Sequence, residues 1–147
     1  MTIDPTAEPV VDATVLLADF AQVVDSKLYL LGGGLTAIGP QPQPVAVAIL
    51  LQIPWDRANI AHSWLLELLD EDGAPVPDAD NPLTVGGNVE TGRPVGARPG
   101  SPLQVPIVVN FTALPVQTPG TYLFRLSIDD ATASGWTARL LVRPGQP

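Results

Sequence analysis

Apolar side chains recur at every second position through one stretch of this chain after another, and that pattern narrows the fold to strands. Successive side chains of a strand point to opposite faces, so a period of two leaves one face apolar and the other polar. Over 121–129, Tyr122, Phe124, Leu126 and Ile128 share one face. Thr121, Arg125, Ser127 and Asp129 share the other, with Leu123 the exception. Over 103–111, Leu103, Val105, Ile107, Val109 and Phe111 alternate with Gln104, Pro106, Val108 and Asn110. Pro106 has no N–H to give to a ladder, which puts this strand at an edge or at a bulge. The same phase places Trp64, Leu66 and Leu68 inward over 63–70, and Trp136, Ala138, Leu140 and Val142 inward over 136–142. Two strands near the start, 14–21 and 27–31, are joined through the turn residues Asp25-Ser26. Gly86-Gly87 dilute a weaker strand over 83–90.

The stretch 45–53 departs from the rule. Val45, Val47, Ile49, Leu51 and Ile53 make one face, but Ala46, Ala48 and Leu50 leave the opposite face apolar as well. A strand apolar on both faces is buried on both. Its second cover is either another part of the chain or another copy of the protein.

Seventeen prolines and thirteen glycines fall mainly in the turns between these strands. About eight short strands with such punctuation predict an all-β fold. The expected architecture is a single two-sheet antiparallel β-sandwich, immunoglobulin-like or C2-like, with one short helical turn over 55–60 behind Pro54. At 147 residues the chain fits one domain, over 13–147, behind a flexible N-terminal arm over 1–12.

Charge and cysteine content exclude several functions. No Cys means no disulfide, thiolate nucleophile or cysteine-ligated metal. A net charge of -8 argues against nucleic acid and anionic membrane surfaces, which recruit Lys and Arg. The longest apolar run, 44–51, is far short of a membrane span, and 1–12 lacks a leader's basic start. The expected location is cytoplasmic.

The motifs favour structural readings. Gly32-Gly33-Gly34 follows an apolar strand, but Leu35-Thr36-Ala37-Ile38 after it does not open a helix, so it reads as a kink between strands. The densest acidic stretch holds Glu67, Asp70, Glu71, Asp72, Asp78 and Asp80. Asp70, Asp72, Asp78 and Asp80 are candidate calcium ligands, set against a solvated hairpin built on the turn Asp70-Glu71-Asp72-Gly73. His62, the lone histidine, reads as an exposed residue at a strand start. No nucleophile elbow or paired-carboxylate pattern stands out, and no cofactor is expected. Trp64 and Trp136 have inward phase, leaving Trp55 as a surface or interface aromatic.

Several segments together resemble a family. These are 18–25 (ADFAQVVD), 27–34 (KLYLLGGG), 53–59 (IPWDRAN), 66–73 (LELLDEDG) and 119–126 (PGTYLFRL). They are similar to an uncharacterised family of small, single-domain, β-rich bacterial proteins, over roughly 19–142. The resemblance implies a fold and carries no activity, ligand or site residue.

The expected function is that of a non-enzymatic structural or interaction protein. It would bind another protein or associate with itself through apolar sheet faces, with Ala46, Ala48, Leu50, Trp55, Leu123 and Leu141 as interface candidates. The alternative is a small-ligand module that takes calcium or carbohydrate through acidic end loops.

Overall fold

The computed structural model describes residues 11–145. Of the expected arm over 1–12, residues 1–10 lie outside that range; Val11 is buried and Asp12 opens the first strand. The described residues are all-β, with several sheets and a single turn of 3-10 helix at Trp55–Arg57. Its strands are β1 (Asp12–Ala18), β2 (Phe20–Val24), β3 (Lys27–Leu31), β4 (Ala37–Ile38), β5 (Val45–Ile53) and β6 (His62–Leu69). They continue as β7 (Pro77–Asp78), β8 (Asn81–Pro82), β9 (Thr84–Val89), β10 (Leu103–Phe111), β11 (Gly120–Ile128) and β12 (Thr137–Val142).

One sheet has the order β1-β5-β10 and another β4-β12-β11-β6-β9, while β2-β3 and β7-β8 form separate two-stranded ribbons. The named pairs are antiparallel except β4 with β12, which is parallel. β10 is an edge strand, as Pro106 demands.

Both large sheets feed one apolar core. The odd-numbered residues of β5, Val45 to Ile53, are buried with Leu66, Leu68, Phe124, Leu126, Leu140 and Val142 from the other sheet. The rings of Phe111 on β10 and Phe124 on β11 join the two, their centroids 5.9 Å apart.

The expected strand over 14–21 is interrupted at Asp19. The Asp19 N–H donates to Leu31 O (2.9 Å), so the chain leaves the β1-β5 ladder and starts the β2-β3 hairpin. The hairpin closes on Asp25-Ser26, both at positive φ (51° and 60°), which suits a tight turn matching the strand twist. At its base Gly32 sits at φ 64°, and a Cβ there would fall 2.2 Å from the Asp19 carboxylate. Only glycine meets both demands. The triple glycine is therefore a turn that delivers the chain from β3 toward β4.

This hairpin lies on the outer face of the three-stranded sheet. Ala18, Ala21, Ala46 and Ala48 form a second small core, with Leu28, Leu30 and Val108 packed on it. Alanines let the two layers approach closely, so the second cover of β5 is another part of its own chain. Asn110 locks the hairpin down: its Nδ2 donates to Ala21 O (2.8 Å) and its Oδ1 accepts from Ala21 N (3.3 Å).

Candidate functional site

The structure scatters the residues singled out from the sequence. Asp70 and Asp72 stand on the turn after β6, whereas Asp78 and Asp80 belong to the β7-β8 ribbon and its turn. Asp70 Oδ1 accepts the N–H groups of Asp72 (2.9 Å) and Ala74 (3.0 Å), which holds the turn together. Among the described residues, no three His, Cys, Asp or Glu side chains gather as a metal would require. The turn instead borders a shallow cavity of about 390 Å³ beneath Tyr122. There Glu71 Oε1 accepts the N–H of Thr121 (2.8 Å), and the Tyr122 hydroxyl donates to Thr118 O (2.7 Å). Burial pushes the Tyr122 phenol above its usual range, and Asp70 and Glu71 push it further by disfavouring a second negative charge.

His62 is buried, correcting the reading of an exposed histidine. It continues the inward phase of Leu66 and Leu68, and its partner arrives from far along the chain. His62 Nδ1 lies 2.8 Å from Asp129 Oδ2, and Asp129 Oδ1 accepts the N–H of Ser63 (3.0 Å). This pair ties β6 to the turn between β11 and β12.

Ala46 and Ala48 are sealed beneath the hairpin and offer no surface. Leu50, further along the same face, is half-buried. Leu123 and Leu141 lie on the outer face of the five-stranded sheet, half-buried and exposed respectively. Charged groups interrupt that face, including Arg139 opposite Leu123 and the Arg125–Glu67 ion pair (3.0 Å). Trp55 is half-buried on the 3-10 turn, with the Arg93 guanidinium 4.6 Å from its ring centroid. Arg93 also donates through Nε (3.2 Å) and Nη2 (2.8 Å) to Trp55 O.

A further exposed, mainly apolar surface lies elsewhere, on the outer face of the β2-β3 hairpin. Three cross-strand pairs compose it: Phe20 with Leu31, Gln22 with Tyr29, and Val24 with Lys27. Leu31 is 66% exposed and Tyr29 52%, high values for such large side chains in a strand. The face is grooved, with a hollow of about 470 Å³ lined by Phe20, Gln22, Val24, Tyr29, Leu30 and Leu31. The alternation of 20–24 and 27–31 could have revealed it. Both strands carry apolar residues in both phases, with Gln22 and Lys27 the exceptions, and only one face of the hairpin has a cover.

Among the described residues, no helix is long and apolar enough to cross a membrane. No curated protein matches the chain. A model for a family of unknown function matches residues 13–141, which is nearly all of the described fold. The chain therefore belongs to DUF6941, a family of unknown function.

Proposed function

We propose that this protein is a non-enzymatic interaction module of immunoglobulin-like form, and that it associates with a second copy of itself through the outer face of the β2-β3 hairpin. The strand orders support the immunoglobulin comparison. β1-β5-β10 corresponds to strands A, B and E, and β12-β11-β6-β9 to G, F, C and C′ of a variable-type sandwich. Tyr122 stands near the start of the F-equivalent strand and donates its hydroxyl a few residues upstream, the arrangement called a tyrosine corner. In this comparison the hairpin is an insertion after strand A, so an ordinary sandwich does not require it.

The observation that carries the functional reading is the exposed apolar hairpin face. A two-stranded ribbon is marginal in water unless its apolar faces are covered, and contiguous apolar patches mark interaction sites. The face is also self-complementary. A two-fold axis through the Gln22–Tyr29 pair sets Phe20 and Leu31 of one copy against Val24 and the aliphatic stem of Lys27 of the other. It also brings the central amide and phenol groups together. Such isologous contacts are the commonest route to an oligomer. Each hairpin strand is only five residues long, about 17 Å, which places the contact at the small, readily reversible end of interfaces.

Light scattering over a concentration series tests this. The wild-type chain should shift from monomer to dimer as concentration rises, and Leu31→Glu or Tyr29→Glu should hold it monomeric with an unchanged melting temperature. A wild-type chain still monomeric at about 100 µM overturns the proposal, as does a dimer that both substitutions leave intact.

A further inference from the structure

A second surface stands at the end of the molecule where β1 and β10 begin and β5 ends. A cleft of about 460 Å³ opens there, bordered by Asp12, Gln52, Trp55, Asp56 and the loop residues Gly100 and Pro102. From the cleft we infer a binding site for an organic cation, a guanidinium or alkylammonium group.

Several observations converge on that chemistry. Trp55 supplies an indole, the aromatic ring that attracts cations best. The chain itself uses this property, since Arg93 stacks on that ring at 4.6 Å. Trp55 borders the cleft and Arg93 does not. Asp12 and Asp56 both border the cleft and are exposed, and neither forms an ion pair among the described residues. Among the described residues, no Lys or Arg lines it. Gln52 adds an amide that can accept one N–H of a planar guanidinium while the carboxylates take others. The space exceeds a single arginine side chain, so a linear polyamine or an arginine presented by another protein fits equally; both present an organic cation with several N–H donors.

The 3-10 turn that carries Trp55 is tied to its surroundings. Arg93 pins the loop after β9 to the 3-10 turn, Asn59 N–H donates to Thr91 O (2.8 Å), and the His62–Asp129 pair joins the β11–β12 turn to the same end. In the immunoglobulin comparison these are the B–C and F–G connections and the loop after C′, the end that variable domains use for recognition. Ligand sites gain affinity when their walls need no ordering on binding. The site shares no residue with the hairpin face, so the two proposals stand or fall separately.

Titration of the full chain with arginine amide and with spermidine, followed by tryptophan fluorescence and calorimetry, tests the inference. Both cations should bind saturably, and more weakly as salt rises. Asp12→Asn/Asp56→Asn should weaken binding about tenfold or more while leaving the melting temperature unchanged, since both carboxylates are exposed. Trp55→Leu should weaken it about two- to fivefold. Binding of spermidine in preference to arginine amide would identify a polyamine site; the reverse would identify an arginine of a protein partner. No saturable binding of either cation overturns the inference. So does binding that the double Asn variant leaves intact, or equal binding of a neutral disaccharide.

Discussion

Tyr122 shows how much one hydroxyl does here. Its bond to Thr118 O fastens the segment before β11 to the strand, whose first residue, Gly120, sits at φ 152°. Tyr122→Phe should destabilise the fold by about 1 kcal/mol in urea unfolding, the net worth of one neutral hydrogen bond. It should also change the alkaline limb of stability. Because the folded phenol titrates above its usual 10.0, the native state keeps its proton at a pH where the unfolded chain has lost it. Stability from this group is complete below pH 10 and falls as pH rises toward the folded value. The variant should lose less stability than wild type above pH 10, and equal losses would assign the alkaline limb to other groups. His62 teaches a different lesson. Its phase with Leu66 and Leu68 was readable, yet a polar residue at a strand start reads as rim. The carboxylate that makes its burial affordable lies 67 positions away, and no local pattern encodes such a pairing.

Among the elements, the long strands were legible because five or more alternating positions make a period unmistakable. β5, β6, β10 and β11 lie within a residue of their expected bounds. β4, β7 and β8 have two residues each, too few to carry any period. The break at Asp19 was hidden for another reason: the apolar run continues through it, and only Gly32, thirteen positions on, makes room for the carboxylate that turns the chain. The hairpin thus created depends on Asn110, which gives Ala21 the two backbone-like bonds of an absent neighbouring strand. Asn110→Ala would leave the N–H and C=O of Ala21 without partners and should cost about 1–3 kcal/mol. Amide exchange should locate the loss: protection in 20–31 should collapse before that of β11 and β6. A uniform loss across all strands would mean that the hairpin and the two large sheets unfold as one unit.

For the whole molecule, charge and apolar surface act in opposite directions. Every copy carries a net charge of -8, so two copies repel at any approach. An apolar contact between them should therefore tighten as salt screens that repulsion, whereas cation capture beside Trp55 should weaken. Dimerisation and ligand titrations at about 20 mM and 500 mM salt should give slopes of opposite sign. Slopes of the same sign would show that one of the two surfaces has been misread. The all-β class and the family were readable from the chain alone. The position of the exposed patch was legible only in part: 20–24 and 27–31 carry apolar residues in both phases, but β5 advertises a need for cover without saying which segment meets it.

The lock between Ala21 and Asn110 spans 89 residues, and that separation has a meaning in time. A ribosome adds about 5–20 residues per second, so Asn110 follows Ala21 by roughly 4–18 s. The hairpin needs only its local Asp25-Ser26 turn and closes in microseconds. During synthesis it therefore forms and opens repeatedly, a marginal ribbon with both apolar faces bare, until β5 and then β10 arrive to cover one of them. The nascent chain is at its most adhesive in that interval, and the order of its strands makes the interval unavoidable.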